Sequence, residues 1–503
     1  MQYTSLVGTW QNEFGSLMTI TYQNPDSGYI IGTYSSHTGA TGVYYVIGIT
    51  DIAPDPNVNS QTVAFSVSWR NTVGPTESGA NWVSAFAGQV QVQADGSLAI
   101  ATTYLLQENT NPADNWSSTI VAPSTFRKIS DEVSLEASWS RNKKYADVKD
   151  LAQMQKIAFG LQMGSLSDNG ATPWYAQIGL GTPAQDLKFM LDTGTDNTWI
   201  TSTACTTAAC LAHNRYNPQA SSTFKVIDPN PTQKSFGPWG TMTVIIGEDI
   251  FTLEQIDTYL GRNIVTTNEQ MNFEVTTFYN GYQFQQLACD GGIAIPSPYW
   301  KSDGRTEALM IQLYKDAKIS YLCASFYTNK AEQLGECLFG GIDIDKFNIN
   351  TLQWLSLKQV QTVGLEYLWD IQLTNFLVNG FPVQAGITDF VLDTGSSYFK
   401  GPQDLIQILI NAVTYNGELP TYVTSESALS QYPTIGLQIG SQTYYLQPQD
   451  YFLQLSPQYW ELGIQVLDGM PEGMLLVGSV FLDTVYSIFD FQNPSIGLAR
   501  LLS

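Results

Sequence analysis

The amino-acid sequence predicts a predominantly β protein, an eight-stranded antiparallel β-barrel followed by a bilobal β unit with few short helices. Three observations carry this reading. Residues 6–128 are short runs rich in Thr, Val, Ile, Tyr and Trp, separated by Gly, Asn, Asp and Pro clusters, the signature of an antiparallel meander. From Trp174 onward strand-length apolar runs continue, and helical spacing is clearest at 307–317 and 403–413. Within this region Gly181-Thr182-Pro183-Ala184-Gln185 leads into Leu191-Asp192-Thr193-Gly194, and Gly380-Phe381-Pro382-Val383-Gln384 leads into Leu392-Asp393-Thr394-Gly395, so one lobe reads as a duplicate of the other.

At about 150 residues per domain, the 503-residue chain holds about three compact units. Runs at 18–22, 29–35, 43–49, 63–70, 86–92 and 99–106 make about eight strands once the ends are added, enough to close a barrel around one small ligand. This sets a first domain at 1–128. Residues 129–170 differ in character. Arg141, Lys143, Lys144, Lys149 and Lys156 concentrate base there, and 147–163 has the apolar spacing of a short helix, so the segment reads as a linker or a regulatory piece. The two lobes follow at 171–345 and 346–503.

Composition narrows the chemistry. Lys and Arg total 22 against 45 Asp and Glu, a net charge of -23. Such a surface repels phosphate backbones and anionic membranes, which argues against a nucleic-acid partner. The two histidines, His37 and His213, are far apart, which disfavours a Ser-His-Asp triad. With five cysteines the chain shows no clustered Cys and His spacing for zinc, so no metal is expected and hydrolysis would fall to carboxylates. No apolar run reaches the length of a membrane span, and residues 1–12 lack the basic and apolar regions of a signal peptide.

Each repeated motif follows a buried-type strand, Phe189-Met190-Leu191 or Phe390-Val391-Leu392, and then presents carboxylate, hydroxyl, glycine and hydroxyl in Asp192-Thr193-Gly194-Thr195 and Asp393-Thr394-Gly395-Ser396. If the repeats pack about a pseudo-twofold axis, Asp192 and Asp393 meet, the two glycines permit close backbone approach and the threonines bond across the axis. Two carboxyls that close do not both ionise easily, so one remains an acid while the other is a base. Such a pair can activate water against an amide carbonyl and protonate the leaving nitrogen.

These residues resemble the pepsin-like aspartic proteases over about 171–503, a family in which the shared-proton pair is itself the standard example. Trp199, Cys205 and Cys210, Phe224, Asp290-Gly291, Gly340-Gly341-Ile342-Asp343, Trp369, Gly401-Pro402, Gly478 with Phe481, and the ending Phe489-Asp490 to Gly497-Leu498-Ala499 fall in the family's order. The resemblance implies Asp192 and Asp393 as catalytic, with Thr193, Gly194, Thr195, Thr394, Gly395 and Ser396 in support, and no cofactor. It also implies a substrate flap at Phe236 and Gly237 over Trp199, with Phe236 where the family carries a tyrosine. Ala294 stands where the family places glycine, and is expected to crowd the backbone behind the pair. A disulfide is implied at Cys205–Cys210, and Cys323 and Cys337 flank residues 324–336 as if bridging neighbouring hairpin strands; oxidised pairs imply an extracytoplasmic setting, secreted or lysosomal/vacuolar. Residues 133–145 are similar to the family's basic zymogen leader, and a charged linker helix is the equally weighted alternative.

In the N-terminal region Gly8-Thr9-Trp10-Gln11-Asn12, Gly15-Ser16 and Gly32-Thr33-Tyr34-Ser35-Ser36 combine rings, an amide and hydroxyls, and Trp69, Trp82 and Trp116 follow on alternating strand faces. An apolar cage with a few aimed polar groups suits a small, mostly apolar ligand with a urea-like head. The order resembles avidin and streptavidin over about 5–129. The resemblance implies biotin, or a biotinylated partner, with Asn12, Ser16 and Tyr34 around the ureido oxygen, Ser36 and Ser78 on other polar atoms, and Trp69, Trp82 and Trp116 as walls. Three positions depart: Tyr104 replaces a wall tryptophan, Ala80 a hydroxyl, and Ser124 the carboxylate or amide that accepts a ureido N–H. Each lost bond costs about 1 kcal/mol or more, so weakened biotin binding is expected. The barrel also implies a homo-oligomer.

The function expected is therefore an acid-acting aspartic endopeptidase, with protein or peptide substrates, fused to a biotin-binding-like barrel. The alternative is a catalytically inactive pepsin-like fold in a protein that binds biotin or a related small ligand and acts as a scaffold.

Overall fold

A computed structural model of the protein describes residues 5–23, 28–35, 43–52, 60–70, 81–93, 96–108, 119–130, 148–235, 240–257, 261–302 and 305–502. The chain forms two compact units, Met1–Lys144 and Tyr145–Ser503.

The first unit is a closed antiparallel barrel of β1 (Gly8–Asn12), β2 (Leu17–Gln23), β3 (Tyr29–Ser35), β4 (Val43–Thr50), β5 (Ser60–Arg70), β6 (Asn81–Val92), β7 (Leu98–Glu108) and β8 (Thr119–Ser130). Consecutive strands pair, and β8 returns to β1 with Asn12 opposite Phe126. The expected barrel is thus present. Side chains alternate between lumen and outside, as the two-residue period of a strand requires. In β5, for example, Val63, Phe65 and Val67 are buried while Thr62, Ala64 and Ser66 are exposed. Phe65 stacks on Phe86 at 4.7 Å between centroids, and Phe126 meets both edge-on at 5.8 Å.

The second unit is bilobal, and the sequence repeat reappears as a repeated strand order. Gln185–Asp192 pairs in parallel with Gly291–Ala294, which also pairs antiparallel with Trp199–Thr201. Asp389–Leu392 pairs in parallel with Met474–Val477, which also pairs antiparallel with Phe399–Gly401. Trp199 then lies beside Glu274 and Phe399 beside Ile464, again in parallel strands. Each Asp-Thr-Gly therefore leaves the end of a buried central strand. The C-terminal strands Val485–Asp490 and Ser495–Arg500 cross back to pair with Cys323–Asn329 and with one another, so a single sheet joins the lobes.

Three expectations need correction. The helix expected over 147–163 covers only Val148–Gln153, and Ile157–Met163 is a strand between Trp174–Leu180 and Leu334–Phe339. Its apolar residues Ile157, Phe159 and Leu161 alternate inward, and Phe159 packs on Phe339 at 5.1 Å. The later part of the 129–170 linker thus belongs to the second unit's sheet. The expected Cys323–Cys337 disulfide is absent: both are buried thiols. The register sets Cys337 opposite Phe326, three residues from Cys323, so the two side chains lie on opposite faces of the sheet.

Candidate functional site

The ends of the two central strands meet. Thr193 N donates to Thr394 Oγ1 at 3.1 Å and Thr394 N donates to Thr193 Oγ1 at 2.9 Å. Each hydroxyl also donates to the opposite lobe's strand end, Thr193 to Leu392 O at 3.0 Å and Thr394 to Leu191 O at 2.6 Å. β-Branching restricts χ1 of both threonines, and these bonds fix the direction of each hydroxyl.

Glycine at 194 and 395 follows from the same geometry. A Cβ on Gly194 would lie 2.5 Å from Asp393 Cγ, and one on Gly395 would lie 2.4 Å from Asp192 Oδ1. Each backbone therefore runs directly against the other lobe's carboxyl. Gly194 N donates to Asp192 Oδ1 and Gly395 N to Asp393 Oδ1, both at 2.8 Å.

Burial and then the Asp393 charge push the Asp192 carboxyl well above the usual carboxylate range. Burial raises Asp393 as well, but there the opposing influence is led by the Lys400 ammonium. The two carboxyls are held above the usual range together and titrate as a unit.

Thr195 Oγ1 accepts from Asn197 N at 3.2 Å, and Ser396 Oγ donates to Gly170 O at 3.3 Å. Trp199 is buried, and its indole leaves no space for a Cβ at Gly292, which would come within 2.6 Å of Trp199 Nε1. The Cys205–Cys210 disulfide closes the turn beneath it beside Tyr279 and Phe284. Phe236 and Gly237 lie outside the described residues. Ala294 does not crowd the pair as expected: it pairs with Asp192 in register, Ile295 N still reaches Asp192 O at 2.8 Å, and Ala294 N donates to Thr198 Oγ1 at 3.2 Å. The second lobe lacks that room, since a Cβ on Gly478 would stand 2.2 Å from Ser396 O.

The model for eukaryotic aspartyl proteases matches residues 173–501. The chain belongs to the eukaryotic aspartyl protease family. The chain is similar to cathepsin E-B of Xenopus laevis, 30% identical over 338 residues that cover 65% of this chain and 79% of that protein. Pepsin A of Rhinolophus ferrumequinum is 31% identical over 337 residues, covering 65% of this chain and 80% of that protein. Gastricsin of Cavia porcellus is 28% identical over 335 residues, covering 65% and 79%. The model for the avidin family matches residues 1–129.

Two residues beside this aspartyl protease site escaped the sequence reading. Lys400 is buried on Phe399–Gly401 and donates from Nζ to Gly170 O at 2.8 Å. Burial, and then the charges of Asp196, Asp192 and Asp393, hold the proton on the Tyr367 phenol. Among the described residues no cluster of His, Cys, Asp and Glu suits a metal ion, and no helix is long and apolar enough to cross a membrane.

In the avidin-like barrel, four of the expected ligand residues converge. Asn12 Nδ2 donates to Tyr34 Oη at 3.1 Å and to Ser124 Oγ at 3.5 Å, while Asn12 Oδ1 accepts from Ser16 N at 2.9 Å. Burial pushes the Tyr34 phenol up to about 12, against the lowering effect of its hydrogen bond with Ser16. Tyr104 packs on Phe86 at 5.3 Å, and Trp82 lies against the same lumen cluster. The Trp69 side chain, Ser36, Ser78 and Trp116 lie outside the described residues. Glu13, which the sequence reading passed over, accepts from Ser124 Oγ at 3.4 Å and from Thr125 N at 2.9 Å. A carboxylate thus sits beside the position where the avidin-type residue has been replaced by serine.

Proposed function

We propose that the chain is an aspartic endopeptidase acting at acidic pH. The observation that supports this best is the reciprocal approach of Gly194 to Asp393 and of Gly395 to Asp192, locked by the crossed threonine bonds. Asp393 as carboxylate takes a proton from a water molecule as its oxygen adds to the amide carbonyl. Asp192 gives its proton to the carbonyl oxygen, forming a neutral diol. The C–N bond then breaks as Asp393 passes its proton to the nitrogen, and a diol hydroxyl returns a proton to Asp192. Burial of both carboxyls favours this proton-sharing state.

Protein or peptide substrates follow from that chemistry, and the Cys205–Cys210 disulfide supports an extracytoplasmic, secreted or lysosomal/vacuolar setting. For the barrel we propose biotin or a biotin-like ligand at Asn12, Ser16, Tyr34 and Ser124. Assembly into a homo-oligomer through the barrel draws support from Leu105 and Val121, exposed cross-strand neighbours on its outer face; a monomeric mass of the intact chain in solution would remove it.

The test is hydrolysis of denatured globin at acid pH by wild type, Asp192→Asn and Asp393→Asn. Loss of activity in both variants with the fold retained is the expected result. Equal turnover in all three, or none in any, would overturn the endopeptidase reading.

A further inference from the structure

Lys400 is an unusual residue for its place. It lies on a short strand between Phe399 and Gly401, all three buried, in the sheet that carries Asp393, and its side chain is 4% exposed. Burying a Lys ammonium is costly unless its surroundings supply acceptors and opposite charge. The acceptor is Gly170 O, which also accepts from Ser397 N at 2.9 Å and Ser396 Oγ at 3.3 Å, the residues that directly follow Asp393-Thr394-Gly395. The ammonium is therefore tied to the same carbonyl as the backbone of the Asp393 loop. The fit is close: a Cβ on Gly170, whose φ is +70°, would come within 2.7 Å of Lys400 Cε.

The opposite charge comes from Asp393 and Asp192. Burial pushes the Lys400 ammonium down to about 8, against the pull of those two carboxylates, so it carries its charge throughout the acid range. Other titratable groups face the cluster from the packed elements. The charges of Asp196, Asp192 and Asp393 bear on Tyr367, and those of Glu461 and Asp168 bear on Tyr398. Among the described residues, the Lys400 charge bears on both carboxyls of the pair and favours the ionised form of each.

We propose that Lys400 is a positioning residue for the aspartyl pair: a fixed internal cation, tethered through Gly170 O, that draws both proton equilibria of the pair toward lower pH. This deepens the endopeptidase reading and rests on it for its consequence in catalysis. A cation near two carboxyls favours each ionised form, so both the loss of activity at low pH, where the pair holds two protons, and the loss at higher pH, where it holds none, occur at lower pH than they would without it. The enzyme's working range is thereby displaced in the acid direction.

The test uses the full chain with Lys400→Gln and Lys400→Met. Glutamine keeps an N–H donor for Gly170 O without the charge, whereas methionine removes both. Two readouts are taken: the pH profile of kcat/KM on a peptide substrate, and the titration of the pair by ¹³C NMR with labelled aspartate. Both limbs and both carboxyl titrations are expected to move up by about one pH unit in either variant, tenfold in relative rate at a fixed pH on the higher-pH limb. Unmoved carboxyl titrations in a folded Lys400→Gln protein would overturn the proposal, as would a shift seen with methionine but not glutamine, which would assign the effect to the tether. Moved titrations in a chain that hydrolyses nothing would sustain the electrostatic assignment and sink the endopeptidase reading.

Discussion

Thr193 and Thr394 exchange backbone-to-hydroxyl hydrogen bonds across the lobes, 3.1 Å in one direction and 2.9 Å in the other. Each hydroxyl is at once an acceptor from the partner's N–H and a donor to a strand-end carbonyl. Removing one hydroxyl therefore orphans two backbone groups in a place with little water. Thr193→Val and Thr394→Val should each destabilise the second unit by about 2 kcal/mol or more. The double variant should cost less than the sum, because the two hydroxyls also meet each other at 3.4 Å and that contact is lost only once. Urea unfolding of the four proteins measures this, and strict additivity would show that the crossed bonds do not act as a unit.

Gly194→Ala and Gly395→Ala test geometry rather than bonding. Added methyl groups would stand 2.5 Å from Asp393 Cγ and 2.4 Å from Asp192 Oδ1, well inside contact distance. The carboxyl must turn or the lobes must part. A displacement of about 1 Å at reacting groups costs on the order of a hundredfold in rate. Both variants should lose at least that factor in kcat/KM while keeping near-native secondary structure by circular dichroism, and an alanine variant with wild-type turnover would contradict the close approach.

Acid stability follows from several buried carboxyls outside the pair. Burial pushes Asp490 up to about 8, against its hydrogen bonds from Tyr321 Oη and Asn493 N. Glu274 and Asp370 are each pushed up to about 7, also by burial. The folded state keeps protons that the unfolded chain releases near pH 4. Their stabilisation is complete below that pH and is lost as pH rises toward 7 and 8, at about 1.4 kcal/mol per pH unit for each group. Calorimetry of the full chain from pH 4 to 8 should show a falling melting temperature for the second unit, and Asp490→Asn should flatten the fall. A melting temperature that rises over this range would refute the assignment.

The legible parts of the fold were those written in local pattern. Alternating Val63, Phe65 and Val67 announced a barrel strand, and the repeat around Asp192 and Asp393 announced two lobes with matching central strands. What escaped the sequence depended on partners far along the chain. Ile157–Met163 offers seven residues of alternation, too few to separate a strand from a helix until Leu334–Phe339 is beside it. Lys400 reads as an ordinary surface lysine, since only the packing of Gly170 against it makes it internal. The Cys323 and Cys337 spacing suited a hairpin bridge, and register alone sends the two thiols to opposite faces.

That register has a simple consequence for thiol chemistry. With Cys205–Cys210 bonded and Cys289, Cys323 and Cys337 free, a non-reducing denaturant should release three titratable thiols per chain, and five after reduction. A second disulfide would leave one. In the folded protein all three should react slowly, because burial pushes each thiol up and suppresses the thiolate. Fast labelling of the native protein would show that the sheet around Cys323 and Cys337 opens readily.

The barrel's affinity should turn on Glu13. Ser124 holds the place of an avidin-type carboxylate or amide, and its hydroxyl donates to Glu13 Oε2 at 3.4 Å while accepting from Asn12 Nδ2 at 3.5 Å. Ser124→Asp would restore a carboxylate but set it against Glu13, and like charges at that distance oppose one another. The single variant should therefore bind biotin no better than wild type. Glu13→Gln combined with Ser124→Asp removes the repulsion and should tighten binding about tenfold, the return of one charge-assisted hydrogen bond. Tyr34→Phe should weaken it by a similar factor, since Tyr34 Oη is the phenol that Asn12 reaches at 3.1 Å. Isothermal titration of the full chain with biotin decides among these. Equal affinity in Ser124→Asp and the double variant would remove Glu13 from the account, and no heat with any of the four proteins at millimolar biotin would mean that the lumen serves a different ligand.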